Sequence, residues 1–254
     1  LRKSSGDGTA TIEARVNNSG VIDTQSGVLA LTFGGNSSGT FQISSAAATQ
    51  LNGSHIPNEG AQFTGEGVTQ VMGGTTTVTG SVTADGGFQL AGGVLTGTGA
   101  FSAEDFIWTG GTYSGSGLTT NSLEISGPGN KIFSGVLETQ GLTEWQSGSI
   151  VTGNTASTWN NTATGVWDIQ NNLIFDNVSN NGTIAVINNA GTLRKSSGDG
   201  IATIEARVNN SGVIDVQSGI LRSVLGLNLS EGTQITGDGK VLVNTNTLAL
   251  DGSI

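Results

Sequence analysis

The sequence of 254 residues has no cysteine, two prolines and one histidine, and only 11% of its residues are charged. Without cysteine, disulfide frameworks and thiolate-bound metal centres are excluded. Collagen is excluded too, because the 42 glycines follow no three-residue period and proline is nearly absent. The chain lacks any run of about 18 apolar residues, so no transmembrane helix is predicted.

Positive charge is also scarce, since nine Lys and Arg residues stand against 19 Asp and Glu residues and give a formal net charge of −10. An acidic chain is repelled by the phosphates of nucleic acids and by anionic lipid surfaces. We therefore expect neither nucleic-acid binding nor membrane insertion. Disorder is not expected either, because disordered chains combine low hydrophobicity with high charge.

An internal duplication is the strongest feature that is present. Residues 1–29 (copy 1) match residues 193–221 (copy 2) at all but three positions, which indicates a recent duplication inside a repetitive gene. Shorter units of roughly 19–21 residues are visible between Gly- and Asn-rich turns throughout the chain. The three differing pairs of the duplication are Thr9/Ile201, Thr24/Val216 and Val28/Ile220.

The short units predict the fold. Each contains two or three β-type runs such as TIEARV or TIAVIN, separated by corners such as NNSG or SGDG, where glycine and asparagine supply positive φ. No apolar helical period is longer than one turn. We therefore predict an all-β, single-stranded parallel β-helix, a β-solenoid of about 12–13 coils of ~20 residues. It is expected to be one continuous domain over residues 1–254, in preference to a sandwich or barrel.

The coil strings VSNNGTIAVINNAGTL (178–193), VNNSGVIDVQSGIL (208–221) and WTGGTYSGSGL (108–118) also carry a family likeness. Their N-N-x-G-x-I and G-x-L-x-G-x-G patterns resemble the passenger regions of filamentous-haemagglutinin-like and autotransporter-type bacterial adhesins. The resemblance implies a right-handed β-helix that is exported to the cell surface or the extracellular space. Because the chain opens in the middle of a repeat, we expect it to be a fragment of a longer protein.

The expected function is structural and adhesive, as a rigid stalk or fibre with no enzymatic activity and no cofactor. The expected partners are further copies of itself, stacked end to end in a filament or longer array, or host and extracellular-matrix glycans or proteins. Two alternatives stay open. One is a carbohydrate-active or carbohydrate-binding β-helix of the polysaccharide lyase or hydrolase kind, and the other is a phage tail-fibre solenoid, which would be an intertwined trimer.

Catalytic candidates are few. The acidic neighbours Glu104 and Asp105 would point to opposite faces of a strand unless they lie in a corner, so they are not expected to converge on a substrate. His55 is expected to be a loop residue. The G-x-G strings are interpreted as corners and not as a dinucleotide fingerprint, which needs a following helix. Whether Asp7, Asp199 or Asp238 in these corners binds calcium stays open.

Aromatic residues are the first candidate binding group. Trp108, Trp145, Trp159 and Trp167 fall within 60 residues of each other. If they were exposed along one face they would suit glycan contact, whereas in a narrow core they would fill the wider coils. Core packing is the favoured interpretation, and glycan contact is the alternative.

The second candidate group is a polar face in the duplicated coil, formed by Arg2, Lys3, Arg15, Arg194, Lys195 and Arg207. Within TIEARV, the Glu and Arg residues alternate, so both are expected on one face of one strand. A solvated face with weak salt bridges is favoured. The alternative is a stripe that recognises an acidic glycan.

Two polar patterns complete the analysis. Asparagine pairs before turns predict amide ladders between coils. The run Thr75–Thr79 resembles the threonine rows of ice-binding solenoids, but it is confined to one stretch, so no ice-binding face is predicted. The predicted ladder pairs are Asn17–Asn18, Asn160–Asn161, Asn171–Asn172, Asn180–Asn181, Asn188–Asn189 and Asn209–Asn210.

Overall fold

A computed structural model describes residues 1–178, 181–244 and 248–250. The described residues form a β-solenoid without helices, in which parallel strands stack in about 12 coils of ~20 residues. The predicted fold class is therefore confirmed. The strands are β1 (Arg2–Lys3), β2 (Thr9–Ile12), β3 (Val21–Thr24), β4 (Val28–Leu31), β5 (Gly35–Ser37), β6 (Thr40–Ile43), β7 (Ala48–Leu51), β8 (Ser54–Pro57), β9 (Gln62–Thr64), β10 (Val68–Val71), β11 (Thr75–Val78), β12 (Val82–Leu90), β13 (Val94–Gly97), β14 (Phe101–Trp108), β15 (Thr112–Gly115), β16 (Leu118–Ile125), β17 (Lys131–Phe133), β18 (Val136–Thr139), β19 (Leu142–Trp145), β20 (Ile150–Thr152), β21 (Thr158–Asn161), β22 (Val166–Ile169), β23 (Ile174–Asn177), β24 (Val186–Asn189), β25 (Thr192–Lys195), β26 (Ile201–Ile204), β27 (Arg207–Asn210), β28 (Val213–Val216), β29 (Ile220–Ser223), β30 (Leu227–Leu229), β31 (Gln234–Thr236), β32 (Lys240–Val243) and β33 (Leu248–Leu250).

The chain divides into two compact units, Leu1–Asn121 (unit 1) and Ser122–Ile254 (unit 2). In unit 1 the coils supply strands to three parallel ladders, and each strand pairs with its counterpart in the next coil. The first ladder contains β1, β3, β6, β9 and the first halves of β12 and β14. The second ladder contains β2, β4, β7, β10 and the second halves of β12 and β14. The third ladder contains β5, β8, β11, β13 and β15.

Unit 2 has the same internal organisation. Its first ladder contains β18, β21, β24, β27, β30 and β33. Its second ladder contains the end of β16, then β19, β22, β25, β28 and β31. Its third ladder contains β17, β20, β23, β26, β29 and β32. Coil length varies in unit 2. The side-chain hydrogen bonds from Asn188, Asn209 and Asn228 to the preceding coil span 28, 21 and 19 residues.

Alternate residues of each strand point into a narrow core, which explains why so few large apolar residues suffice. In unit 1 the rings of Phe41 and Phe63 stack at 4.8 Å between centroids. In unit 2 the rings of Trp159 and Trp167 stack at 4.2 Å. Aromatic pairs of this kind add about 0.5–1.5 kcal/mol beyond the area that they bury.

Tight corners require glycine at positions where a backbone with positive φ touches the neighbouring coil. Gly27 in copy 1 has φ 62° and Gly219 in copy 2 has φ 65°. A Cβ atom at Gly27 would lie 2.5 Å from the carbonyl oxygen of Gly6, and one at Gly219 would lie 2.4 Å from that of Gly200. Any other residue would therefore be strained and would also push the coils apart.

Candidate functional site

The four tryptophans Trp108, Trp145, Trp159 and Trp167 are 0% exposed. They point inward from strands of the ladders, and their rings pack on one another and on neighbouring core residues. A sugar ring can stack only on an aromatic face that it can reach. The favoured interpretation as core packing is therefore confirmed, and the alternative of glycan contact through these residues is wrong.

The cationic residues of copy 2 do not share a face. Arg194 lies on the outer side of β25, whereas its neighbour Lys195 points inward and is 0% exposed. Arg207 is exposed at the start of β27, on a different ladder. The predicted polar face is therefore wrong for Lys195, because alternation along a strand turns adjacent residues to opposite sides.

The TIEARV string is also not one strand. In copy 2 the strand β26 ends at Ile204 and β27 begins at Arg207, so Glu205 lies in the corner between them. The expectation that the Glu and Arg of this string share one face of a strand is wrong. In copy 1, Arg15 is exposed outside any strand. Arg2, with a side chain 66% exposed, pairs with Asp23 at 2.8 Å, and Lys3 is half-buried.

Lys3, Lys131 and Lys195 each turn their ammonium group onto the carbonyl oxygens of the adjacent glycine-containing corner. Lys3 and Lys195 end their strands and bond the corner that follows, whereas Lys131 begins β17 and bonds the corner that precedes it. Charge-assisted bonds of this kind are about twice as strong as neutral ones. Burial lowers the pKa of Lys131 and of Lys195 from the ordinary lysine value, and in Lys195 the nearby Asp199 opposes that shift. The bonds run from Lys3 to Ser5 (3.1 Å), Gly6 (2.5 Å) and Ser26 (2.7 Å), from Lys131 to Gly127 (2.5 Å), Gly129 (3.0 Å) and Ser147 (3.1 Å), and from Lys195 to Ser197 (2.7 Å) and Gly198.

A row of charges follows the outer side of the second ladder in unit 2. Glu144, Asp168, Arg194 and Asp215 occupy the same position in successive coils. The guanidinium of Arg194 lies 3.1 Å from Oδ2 of Asp168, and its pKa is raised first by that hydrogen bond and then by the charges around it. Arg194 is thus neutralised by its own row, which argues against its part in recognising an acidic glycan.

Asparagine ladders are present in unit 2 as predicted. On the outer side of the first ladder, side-chain amides link Asn160, Asn188, Asn209 and Asn228 at 2.7–2.9 Å. On the inner side, a second row joins three buried amides and ends on the hydroxyl of Thr233. The inner row consists of Asn161, Asn189 and Asn210, with contacts of 2.7 and 2.5 Å.

The other predicted asparagine pairs behave differently. Asn18 donates to the carbonyl of Thr40, and Asn17 accepts from the backbone N–H of Asn36. Asn171 bonds only the backbone of Asn172 among the contacts described. Asn180 lies outside the described residues. A ladder therefore needs asparagine in register on successive coils, and the dipeptide alone does not form one.

A polar groove of about 200 Å³ lies beside the outer asparagine row. Its lining combines amides with the short corner residues of three successive coils and contains no charged group. Such a surface offers hydrogen-bond donors and acceptors to a neutral, hydroxyl-rich ligand. The lining residues are Asn188, Asn189, Ala190, Asn209, Ser211 and Ser230.

The catalytic candidates remain separate. His55 is 3% exposed and its Nε2 contacts the carbonyls of Leu31 and Asn52, so it is a core residue and not a loop residue. Glu104 and Asp105 are both exposed, at the register shift where β14 passes from the first to the second ladder. Among the described residues, no three acidic or histidine side chains lie close enough to share a metal ion.

The described part of the chain contains no helix long and apolar enough to cross a membrane. No protein-family model, no curated protein and no solved structure matches the chain.

Proposed function

We propose that this chain is a stalk segment of an extracellular bacterial surface protein and resists pulling force along its coils. Support comes from where its polar groups are used. Lys131 and both asparagine rows bond consecutive coils to each other, and the aromatic core packs along the stack within each unit. The proposed location at the cell surface rests on the likeness of the coil strings to bacterial adhesin passengers.

The observation that carries this proposal is the inner asparagine row. Asn161, Asn189 and Asn210 are at most 2% exposed, and each donates a side-chain hydrogen bond to the next coil. A buried amide without a partner costs about 1–3 kcal/mol, so separation of two coils is opposed at each level that this row spans.

Single-molecule pulling along the coil axis tests the proposal. We expect unit 2 to resist extension and then to release chain in steps of about one coil, because each coil is bonded mainly to its neighbours. Asn189→Ala, which removes a buried ladder amide, is expected to lower the rupture force. Asn17→Ala, at an exposed asparagine with one described bond, is the matched control and should leave the force unchanged. Smooth extension at low force would refute the stalk.

Self-stacking is the proposed mode of longer assembly, because identical coil types can continue each other's ladders. Sedimentation analysis over a wide concentration range tests it. Growth of elongated species with concentration is expected, and a single monomeric species at high concentration would exclude assembly from this segment alone.

A second candidate function is recognition of a neutral glycan, and the uncharged groove beside Asn188 and Asn209 favours it. The VNNSG corner also occurs in copy 1, where no second asparagine pair stacks on it, so the chain contains its own control. We expect cellohexaose to shift the side-chain amide resonances of Asn188 and Asn209 but not that of Asn17. Ser211→Tyr should abolish the shift, Ser19→Tyr should not, and equal shifts at all three asparagines would refute the groove.

A further inference from the structure

Three successive coils of unit 1 carry the same eight-residue pattern on the third ladder. The segments GGTTTVTG (73–80), GGVLTGTG (92–99) and GGTYSGSG (110–117) each place two glycines before a strand and one glycine after it. Between the glycines, every second residue is Thr or Ser, with one Val. The sequence pattern is therefore repeated from coil to coil and is not confined to the Thr75–Thr79 run.

The strand register brings these residues into columns. Thr75 pairs with Val94, which pairs with Thr112, and Thr77 pairs in the same way with Thr96 and Ser114. The residues between them point inward, since Thr76, Leu95 and Tyr113 are at most 2% exposed. A third column, of exposed residues, follows directly after the strands. It consists of Thr79, Thr98 and Ser116.

These nine residues are here called the hydroxyl grid. The two columns within the strands have regular spacing, and the third column lies just beyond the strand ends. Neighbouring coils are about 4.8 Å apart, and alternate residues along a strand are about 6.6 Å apart. The side chains are short, and the threonines and the valine are β-branched, which limits their rotation. None of the nine carries a charge.

Several hydroxyl groups are also oriented by the fold. Thr79 donates to Oδ1 of Asn58 at 2.8 Å, Thr96 to the carbonyl of Ser114 at 3.2 Å and Ser116 to the carbonyl of Gly97 at 3.4 Å. A hydroxyl that donates its one proton inward still presents acceptor lone pairs to water. The grid therefore holds water acceptors and methyl groups in fixed, repeating positions.

We propose that the hydroxyl grid is an ice-binding surface. A rigid array of this kind orders water into rows whose two repeats are close to those of oxygen rows on hexagonal ice, and the methyl groups between the hydroxyls favour caged water. The proposal goes beyond the stalk function and does not depend on it. It departs from the sequence prediction of no ice-binding face, because the strand register sets the threonine run beside two further segments.

The second ladder of unit 1 presents a different kind of surface. On the second ladder of unit 1 the corresponding outer positions are held by Gln50, Gln70 and Gln89, whose amides bond one another at 3.1 and 2.7 Å. Those amides satisfy each other, and their long side chains have more rotatable bonds than threonine has. The proposed ice-binding activity is therefore expected on one face only.

Thermal hysteresis and ice-recrystallisation assays on the whole chain test the proposal. We expect the wild-type chain to shape ice crystals and to slow their growth. Thr77→Tyr and Thr96→Tyr, which raise bulky rings from the middle column, should abolish that activity without changing the melting temperature. Gln62→Tyr is the matched control, because Gln62 is exposed in the same coil as Thr77 but belongs to the first ladder.

The more conservative variant Thr96→Ser keeps the hydroxyl and removes only the methyl group, so it should retain part of the ice-binding activity. Partial activity in this variant would show that the loss in Thr96→Tyr comes from the altered surface and not from unfolding. Absence of hysteresis and of ice shaping in the wild-type chain would overturn the proposal. An equal loss in Gln62→Tyr and Thr77→Tyr would overturn it too, since the activity would then not belong to this face.

Discussion

Copies 1 and 2 have nearly the same sequence but different burial. Ala10 of copy 1 is exposed, whereas its counterpart Ala202 is 0% exposed. Ile12 is half-buried and Ile204 is 1% exposed. The first two strands of copy 1, β1 and β2, pair with one neighbouring coil, whereas their counterparts β25 and β26 lie between two. Full burial of a given side chain in this fold therefore requires a coil on each side.

Strand formation and ion pairing differ in the same way. The string RVNN forms β27 in copy 2, but in copy 1 its counterpart makes a single bridge, from Asn18 to Ser37. Arg2 pairs with Asp23 of the following coil, whereas Arg194 pairs with Asp168 of the preceding coil. Identical local sequences thus choose their partners from the coils that surround them.

The largest expected difference between the copies concerns the core isoleucines. Ile204→Ala should lower the local stability of unit 2 by about 3 kcal/mol, because it leaves a cavity in a fully buried site. Ile12→Ala should cost less than about 1 kcal/mol, since its side chain already reaches water. Hydrogen exchange of the amides in β26 and β2 measures both values. Equal losses would show that burial by the neighbouring coil is not what separates the copies.

A smaller difference is expected for the corner lysines. Lys195→Met should cost about 2 kcal/mol, because it removes the charge-assisted bonds that a lysine buried in the solenoid donates to two corner carbonyl oxygens. Lys3→Met should cost about 0.5 kcal/mol, since water can replace the ammonium at a half-buried site. Denaturation midpoints of the two variants, compared with the wild-type chain, give the measurement. A larger loss for Lys3→Met would contradict the comparison.

The smallest effect is a pH dependence that separates the units. Burial lowers the pKa of His55 from 6.5, so the folded state of unit 1 keeps this ring neutral. Below the unfolded-state pKa of about 6.5 the unfolded chain binds the proton more readily, so the stability of unit 1 should fall as the solution is acidified. Unit 2 contains no histidine and should lack this response. His55→Gln is the control, and an unchanged acid response in that variant would assign the effect to other groups.

Much of the fold was predictable, because corner residues and strand residues alternate along the sequence at the spacing of a coil. The core position of the tryptophans was also predictable. Trp159 aligns with Leu137 and Ile187 of the neighbouring coils, and both of these residues are apolar at the same position of their strands. Side-chain direction was harder to predict. Side chains alternate between the two faces of a strand, so an error of one residue assigns a side chain to the wrong face. For this reason Lys195 was predicted on the outer polar face, whereas its side chain lies inside the solenoid.

The hydroxyl grid was missed for a related reason. Its three segments carry one signal, a pair of glycines followed by alternating small β-branched or hydroxyl residues, and this signal recurs from coil to coil. Thr75 and Val94 look unrelated when only threonine is counted, but the register makes them neighbours. The alignment of one coil on the next therefore holds information that a search for a single residue type discards.

The two asparagine rows of unit 2 have one further consequence. In the outer row each amide donates to the coil before it, as Asn209 does to Asn188. In the inner row each amide donates to the coil after it, as Asn161 does to Asn189. The dipoles of the two rows therefore point in opposite directions and largely cancel. Adding coils of this type therefore lengthens the stack without accumulating a dipole moment from its side-chain amides.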